Sequence, residues 1–223
     1  MVDEMIDKVS ELQNVAQFIA DSLEKMIMEG KLLPGSRLIQ TEIAEQFGVS
    51  RLPVRDALKI LEKREITLTI PRKGVIVRQV TVQEVKDLYE LRLLLEGYAI
   101  SVSLERIKAE DIDKAEKIIA RQESIDQEEG FLELLDIDEQ FHRILWSKCG
   151  NREIDRSLET LWNRLKLLRS CVRDLSNWKG VSVEGHRKIV AELKKKNFIE
   201  TKKVLETAII RARDEIIESL EKK

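Results

Sequence analysis

The stretch from Gly30 to Val77, GKLLPGSRLIQTEIAEQFGVSRLPVRDALKILEKREITLTIPRKGVIV, decides the fold. Ahead of it, Val15, Ile19, Leu23, Met26 and Ile27 recur at helical spacing and predict a first helix that Gly30 stops. Inside it, the Pro-Gly turn of LLPGSRL leads to Thr41, read as the N-cap of EIAEQF, whose Ile43, Ala44 and Phe47 share one face. Gly48 ends this second helix. Only Val49 then precedes Ser50, the expected cap of a third helix, RLPVRDALKILEK, with Val54, Ala57, Leu58 and Leu61 turned inward. Pro53 falls in its first turn, where a missing N–H costs little. Two short helices joined through a tight Gly-containing turn form a helix-turn-helix, whose second helix enters the major groove. ITLTI, the turn PRKG and VIVRQV then predict a two-stranded hairpin over Ile66–Val80. Its tip carries Arg72 and Lys73, placed to meet a phosphate or the minor groove. Three helices and a basic-tipped hairpin make a winged helix-turn-helix.

After Val80 the pattern changes to long helical periodicity without strand signals, and all three prolines lie before residue 72. Helices are expected over 81–106, 110–126, 131–148, 152–176, 183–196 and 198–221, separated by Gly130, Gly150-Asn151, Gly180 and Asn197. The fold class is therefore mostly α. A winged helix-turn-helix occupies 1–79, and an all-helical bundle, large enough to enclose a pocket between helices, occupies 80–223.

Composition narrows the function. The chain has 223 residues, 43% of them hydrophobic, enough for two cores. No run approaches the length of a membrane span, and the acidic start MVDEMIDKVSELQ does not resemble an export signal, so a soluble cytoplasmic protein is expected. Cys149 and Cys171 lack CxxC spacing and read as reduced thiols. The net charge is −2, yet Lys31 to Arg78 holds ten Lys/Arg against five acids. Such a patch is the electrostatic footprint of a polyanion partner. On charge alone an ordinary solvated face is the simpler reading.

The quoted stretch resembles the DNA-binding domain of the GntR family of bacterial regulators in its GKL-PG-RL turn, its GVSR-PVR-AL helix and its P-x-x-G wing. The rest is similar to the family's FCD branch, named for an all-helical effector domain, through ELRLLLE, DEQFHRIL followed by CGN, and EGHRKIVAEL. The resemblance implies DNA contacts by Arg37, Arg51 and Arg55, with Ser50 and Gly74 shaping them. Arg51 and Arg55, four apart, project from one helix face, and each can fork to guanine or to phosphate. Leu52 stands where the family usually has a small hydroxyl residue, and Glu65 where it usually has a glycine ending the recognition helix.

Asp138 and His142 lie four apart on one helix face, and His186 begins a later helix. Buried, hydrogen-bonded core histidines are the plain reading of the residues alone. The resemblance implies instead that the three bind a divalent transition metal, zinc or nickel, aided in the family by a histidine that falls here on Ala208. Two histidines and one carboxylate leave positions for water or an effector oxygen. Arg92 matches a family arginine that pairs with a carboxylate effector, although Glu96, one turn on, offers it an i,i+4 salt bridge. The expected protein is a homodimeric repressor, bound to palindromic double-stranded DNA and released by a small carboxylate. Two alternatives stand beside it. One is a metal-dependent enzyme acting on a small organic acid, which lacks a spare histidine base, a nucleophile motif and a phosphate loop. The other is a helical interaction module that does not bind DNA.

Overall fold

The computed structural model describes residues 2–126, 130–170, 172 and 177–222, with side chains from Asn14 onward. The chain divides into two compact units, Met1–Val80 and Thr81–Lys223.

In the first unit, α1 (Val2–Met28) packs on α3 (Arg51–Lys63), and α2 (Gln40–Phe47) joins them. Ile19, Ala20 and Leu23 of α1 are buried with Val54, Leu58 and Leu61 of α3, the apolar stripe read from the sequence. Gly48 closes α2 in the left-handed conformation at φ 65°, and its N–H reaches back to the carbonyls of Ala44 and Glu45. That tight reversal sets α3 directly after α2.

The wing departs from the sequence expectation in one respect. It is a three-stranded sheet in the order β1-β3-β2, built from β1 (Arg37–Leu38), β2 (Thr67–Ile70) and β3 (Gly74–Val77), all antiparallel. Arg37 pairs with Ile76 across the β1–β3 ladder, so the arginine of the Pro-Gly turn belongs to the wing sheet. The hairpin reverses through Pro71 and Arg72, with Lys73 N–H donating to the Ile70 carbonyl at 3.0 Å and Arg72 at φ 65°. Proline second and a positive φ third fit a type II turn. Two capping expectations are corrected. Helix α2 begins at Gln40 behind Ile39 and not behind Thr41, and Ser50 holds the N-cap position of α3 without a side-chain capping bond.

The second unit is α4 (Val82–Ser103), a 3₁₀ turn at Leu104–Arg106, α5 (Ala109–Ser124), α6 (Phe131–Trp146), α7 (Arg152–Ser170), α8 (Trp178–Lys194) and α9 (Phe198–Glu221). Thr81 caps α4 by accepting from Glu84 N–H, and Asn197 caps α9 by accepting from Glu200 N–H. Helix α4 packs against α9, α7 and α6, while α8 packs against α9 and α5. The expectation for α8 is corrected: it starts at Trp178 and runs through Gly180. Trp178, Val181, Gly185 and Ile189 form one buried stripe, so packing extends the helix over a glycine that costs only about 1 kcal/mol in a helix interior. Helix α7 ends at Ser170, and Cys171 and residues 173–176 of its expected continuation lie outside the described residues. Cys149 is a buried free thiol. Among the described residues, no helix is long and apolar enough to cross a membrane.

Candidate functional site

The first unit presents a basic surface. Arg37, Ser50, Arg51, Leu52, Arg55, Arg72, Lys73 and Gly74 are all exposed. Helix α3 keeps its aliphatic stripe in the core, which leaves Arg51, Leu52, Arg55 and Lys59 on the outer face. Among the described residues, Arg37, Arg51, Arg72 and Lys73 pair with no acid, and Arg55 Nε lies 3.9 Å from Asp56. Cations that have not been neutralised by neighbours keep their charge for a polyanion.

The second unit holds a buried polar centre to which each of α4 to α9 contributes. Asp138 and His142 come from α6, Arg92 and Glu96 from α4, Gln122 from α5, Arg169 and Trp162 from α7, His186 and Ser182 from α8, and Ala208 from α9. One ligand atom from each of Asp138, His142 and His186 lies within 4.8 Å of the others. His142 Nε2 and His186 Nε2 are 3.3 Å apart, and His186 Nε2 is 3.2 Å from Asp138 Oδ1.

Hydrogen bonds fix which ring nitrogens carry protons. Arg92 Nη2 lies 2.9 Å from His142 Nε2, and a guanidinium only donates, so Nε2 accepts and Nδ1–H donates to Glu96 Oε2 at 2.8 Å. The amide nitrogen of Gln122 donates to Ser182 Oγ at 3.0 Å, which turns its oxygen to His186 Nδ1 at the same distance. His186 therefore holds its proton on Nδ1 as well. Ser182 Oγ–H in turn donates to Asp138 Oδ1 at 2.7 Å. Two imidazole Nε2 atoms and a carboxylate oxygen thus lie within 4.8 Å of one another, each imidazole held from behind by an acceptor. That is the donor set of a cation site, with the outer partners that orient metal-bound histidines.

Charge states agree. Burial raises the Asp138 carboxyl, but the Arg169 guanidinium, 2.7 Å from its Oδ2, outweighs it and holds the group well below the usual range. Glu96 is likewise raised by burial and pulled down further by Arg92 and His142, to about 2. Burial lowers His186 to about 4 against the opposing pull of Asp138, which leaves a neutral imidazole, the form that ligates a metal.

The Arg92–Glu96 pair exists, with Nε 2.8 Å from Oε1, and both side chains are buried, so it is no surface salt bridge. Trp162 Nε1–H donates to the same Glu96 oxygen at 3.0 Å, and the Arg92 guanidinium lies 4.4 Å from the Trp162 ring centroid. Sequence reasoning missed Arg169 and Gln122. Each sits on its helix's apolar stripe, Arg169 in step with Leu158, Trp162 and Leu165, and Gln122 with Ala115 and Ile119. A polar residue at a core position was the available signal. The cavity beside the centre measures about 20 Å³ and is walled on α9 by Ala208 and Ala212. It has room for an ion or one water, well short of an organic acid's pocket.

A model of the gntR family of bacterial regulatory proteins matches residues 15–77, and an FCD domain model matches residues 87–209. An uncharacterised HTH-type transcriptional regulator of Bacillus subtilis, YdhC, is 29% identical over 178 residues, 79% of this chain and 80% of the relative. The gluconate operon transcriptional repressor of the same organism is 33% identical over 150 residues, 66% of this chain and 59% of the repressor. The crystal structure of a putative transcriptional regulator GntR from Rhodococcus sp. RHA1 superposes with a TM-score of 0.72 at 23% identity, covering 91% of this chain and 97% of that one. With both units matched, the chain belongs to the gntR family of bacterial regulatory proteins that carry an FCD domain, and it is a DNA-binding, ligand-responsive transcription regulator and not an enzyme.

Proposed function

We propose that the protein is a cytoplasmic, homodimeric repressor that leaves its operator when a small carboxylate binds in the helical unit. The observation that carries this reading is the convergence of Asp138 Oδ1, His142 Nε2 and His186 Nε2 beside the Arg92 guanidinium. The three residues suit a divalent transition metal, zinc or nickel, and their donor spacings of 3.2 and 3.3 Å are what bonds of about 2.1 Å make between neighbouring ligands. When bound, the metal supplies Lewis acidity toward an acid's oxygen.

The protein's own groups do the rest. His142 Nε2 cannot serve Arg92 and a metal at once. Were a metal held by His142, Arg92 Nη2 would be left free to meet the acid's carboxylate while Arg92 Nε keeps its bond to Glu96. Arg169 stays on Asp138 Oδ2 and leaves Oδ1 for the metal. Ala208 offers no ligand atom on the α9 side, which would leave that side of a bound metal to the acid's oxygens. An acid larger than the cavity has to displace the wall at Ala208 and Ala212.

On the operator, Arg51, Leu52 and Arg55 face the bases, while Arg37, Ser50, Arg72, Lys73 and Gly74 contact the backbone or minor groove. A second copy suits the outward face of α4, where Leu91, Leu94 and Tyr98, exposed by 41%, 71% and 53%, line up at i, i+3 and i+7. A two-fold dimer reads a palindrome. The test is the affinity of the full chain for a duplex selected from a random pool, measured with zinc or nickel and a panel of small carboxylates. At least one carboxylate should weaken binding in wild type, more strongly with metal than with chelator, and do so less in Arg92→Gln. An affinity that no carboxylate moves contradicts the proposal.

A further inference from the structure

Leu52 is the second residue of α3, and its side chain is 46% exposed, whereas Val54, Leu58 and Leu61 of the same helix are exposed by 0–3%. A single exposed leucine is ordinary on a protein surface. Its place is what matters: it lies between Arg51 and Arg55, both exposed, on the first turn of the helix that a winged helix-turn-helix lays into the major groove.

We infer that Leu52 reads the C5-methyl group of a thymine and so fixes a base that its arginine neighbours do not. Leucine has neither donor nor acceptor, so it cannot use the hydrogen-bond code of the base edges. The groove floor offers one apolar group, the thymine methyl, and an isobutyl side chain gains by excluding water against it. Arg51 and Arg55, which fork to guanine O6 and N7 or to phosphate, gain nothing from a methyl. Being exposed, Leu52 is free of any packing duty in the core.

Duplexes are selected from a random pool with the full-length protein, and each conserved thymine is replaced singly by deoxyuridine, which removes only the methyl. Wild type should lose roughly fourfold in affinity at one such position, the value of a single buried carbon. Leu52→Met should keep that loss, and Leu52→Ala and Leu52→Thr should reduce it to below twofold while still binding DNA. Deoxyuridine that is silent at every conserved thymine in wild type overturns the inference. So does a loss that persists unchanged in Leu52→Ala, since the methyl is then read by another residue or through the shape of the duplex.

Discussion

Among the described residues, three side chains occupy backbone positions that suit glycine: Glu65 at φ 59°, just past α3, Arg72 at φ 65°, on the wing tip, and Lys196 at φ 55°, between α8 and α9. A β-carbon there costs about 1–2 kcal/mol. At Arg72 that cost holds a cation at the outermost point of the wing. Glu65 instead lies within reach of the Arg78 guanidinium, which is 3.3 Å from its carboxylate and 3.4 Å from its carbonyl. Glu65→Gly relieves the backbone, keeps the carbonyl contact and loses an exposed ion pair of little value. Urea unfolding should show a net gain of up to about 1 kcal/mol. In the buried centre, Gln122 acts on the metal through His186. Gln122→Ala should weaken zinc binding by roughly 10–100-fold in chelator competition, with DNA affinity in the absence of acid unchanged. Unchanged zinc affinity would show that His186 is oriented without it. Asp138, His142 and His186 were grouped at the level of sequence through the resemblance to the FCD branch, since the residues alone read as hydrogen-bonded core histidines. Gln122 and Arg169 were not, because a polar residue on an apolar stripe announces burial without naming the partner that satisfies it.

At the scale of elements, the helices of both units were readable because their periodicity repeats over several turns. Strand β1 was not, since two residues carry no period and Arg37–Leu38 becomes a strand only through its ladder to β3. That pairing moves Arg37 from an isolated turn to the wing sheet. Gly180 read as a helix boundary, yet the buried Trp178 and Val181 carry α8 across it. Helix α4 is apolar on its outer face as well as its buried one, which leaves Leu91, Leu94 and Tyr98 outside the unit's own core. Leu94→Glu places a charge in the middle of that stripe and should shift the protein from dimer toward monomer by light scattering, while its helical circular dichroism holds. A mass that stays dimeric places the interface elsewhere.

Across the whole molecule, charge is unevenly spread: a chain of net charge −2 carries a cationic surplus, ten Lys/Arg against five acids, between Lys31 and Arg78 of the DNA-binding unit. The helical unit balances its buried charges internally, Arg92 with Glu96 and Arg169 with Asp138. One unit thus offers unspent positive charge to a polyanion, and the other encloses a neutral centre into which a cation and an anion enter best together. The most direct measurement is the salt dependence of the affinity for a selected duplex, for wild type and for Arg51→Ala with Arg55→Ala. Wild-type affinity should fall steeply and log-linearly between about 50 and 200 mM salt, and the double variant should bind more weakly, with a slope shallower by up to about 2. Salt-independent binding, or a variant indistinguishable from wild type in both affinity and slope, would contradict the assignment of α3 as the element that reads DNA.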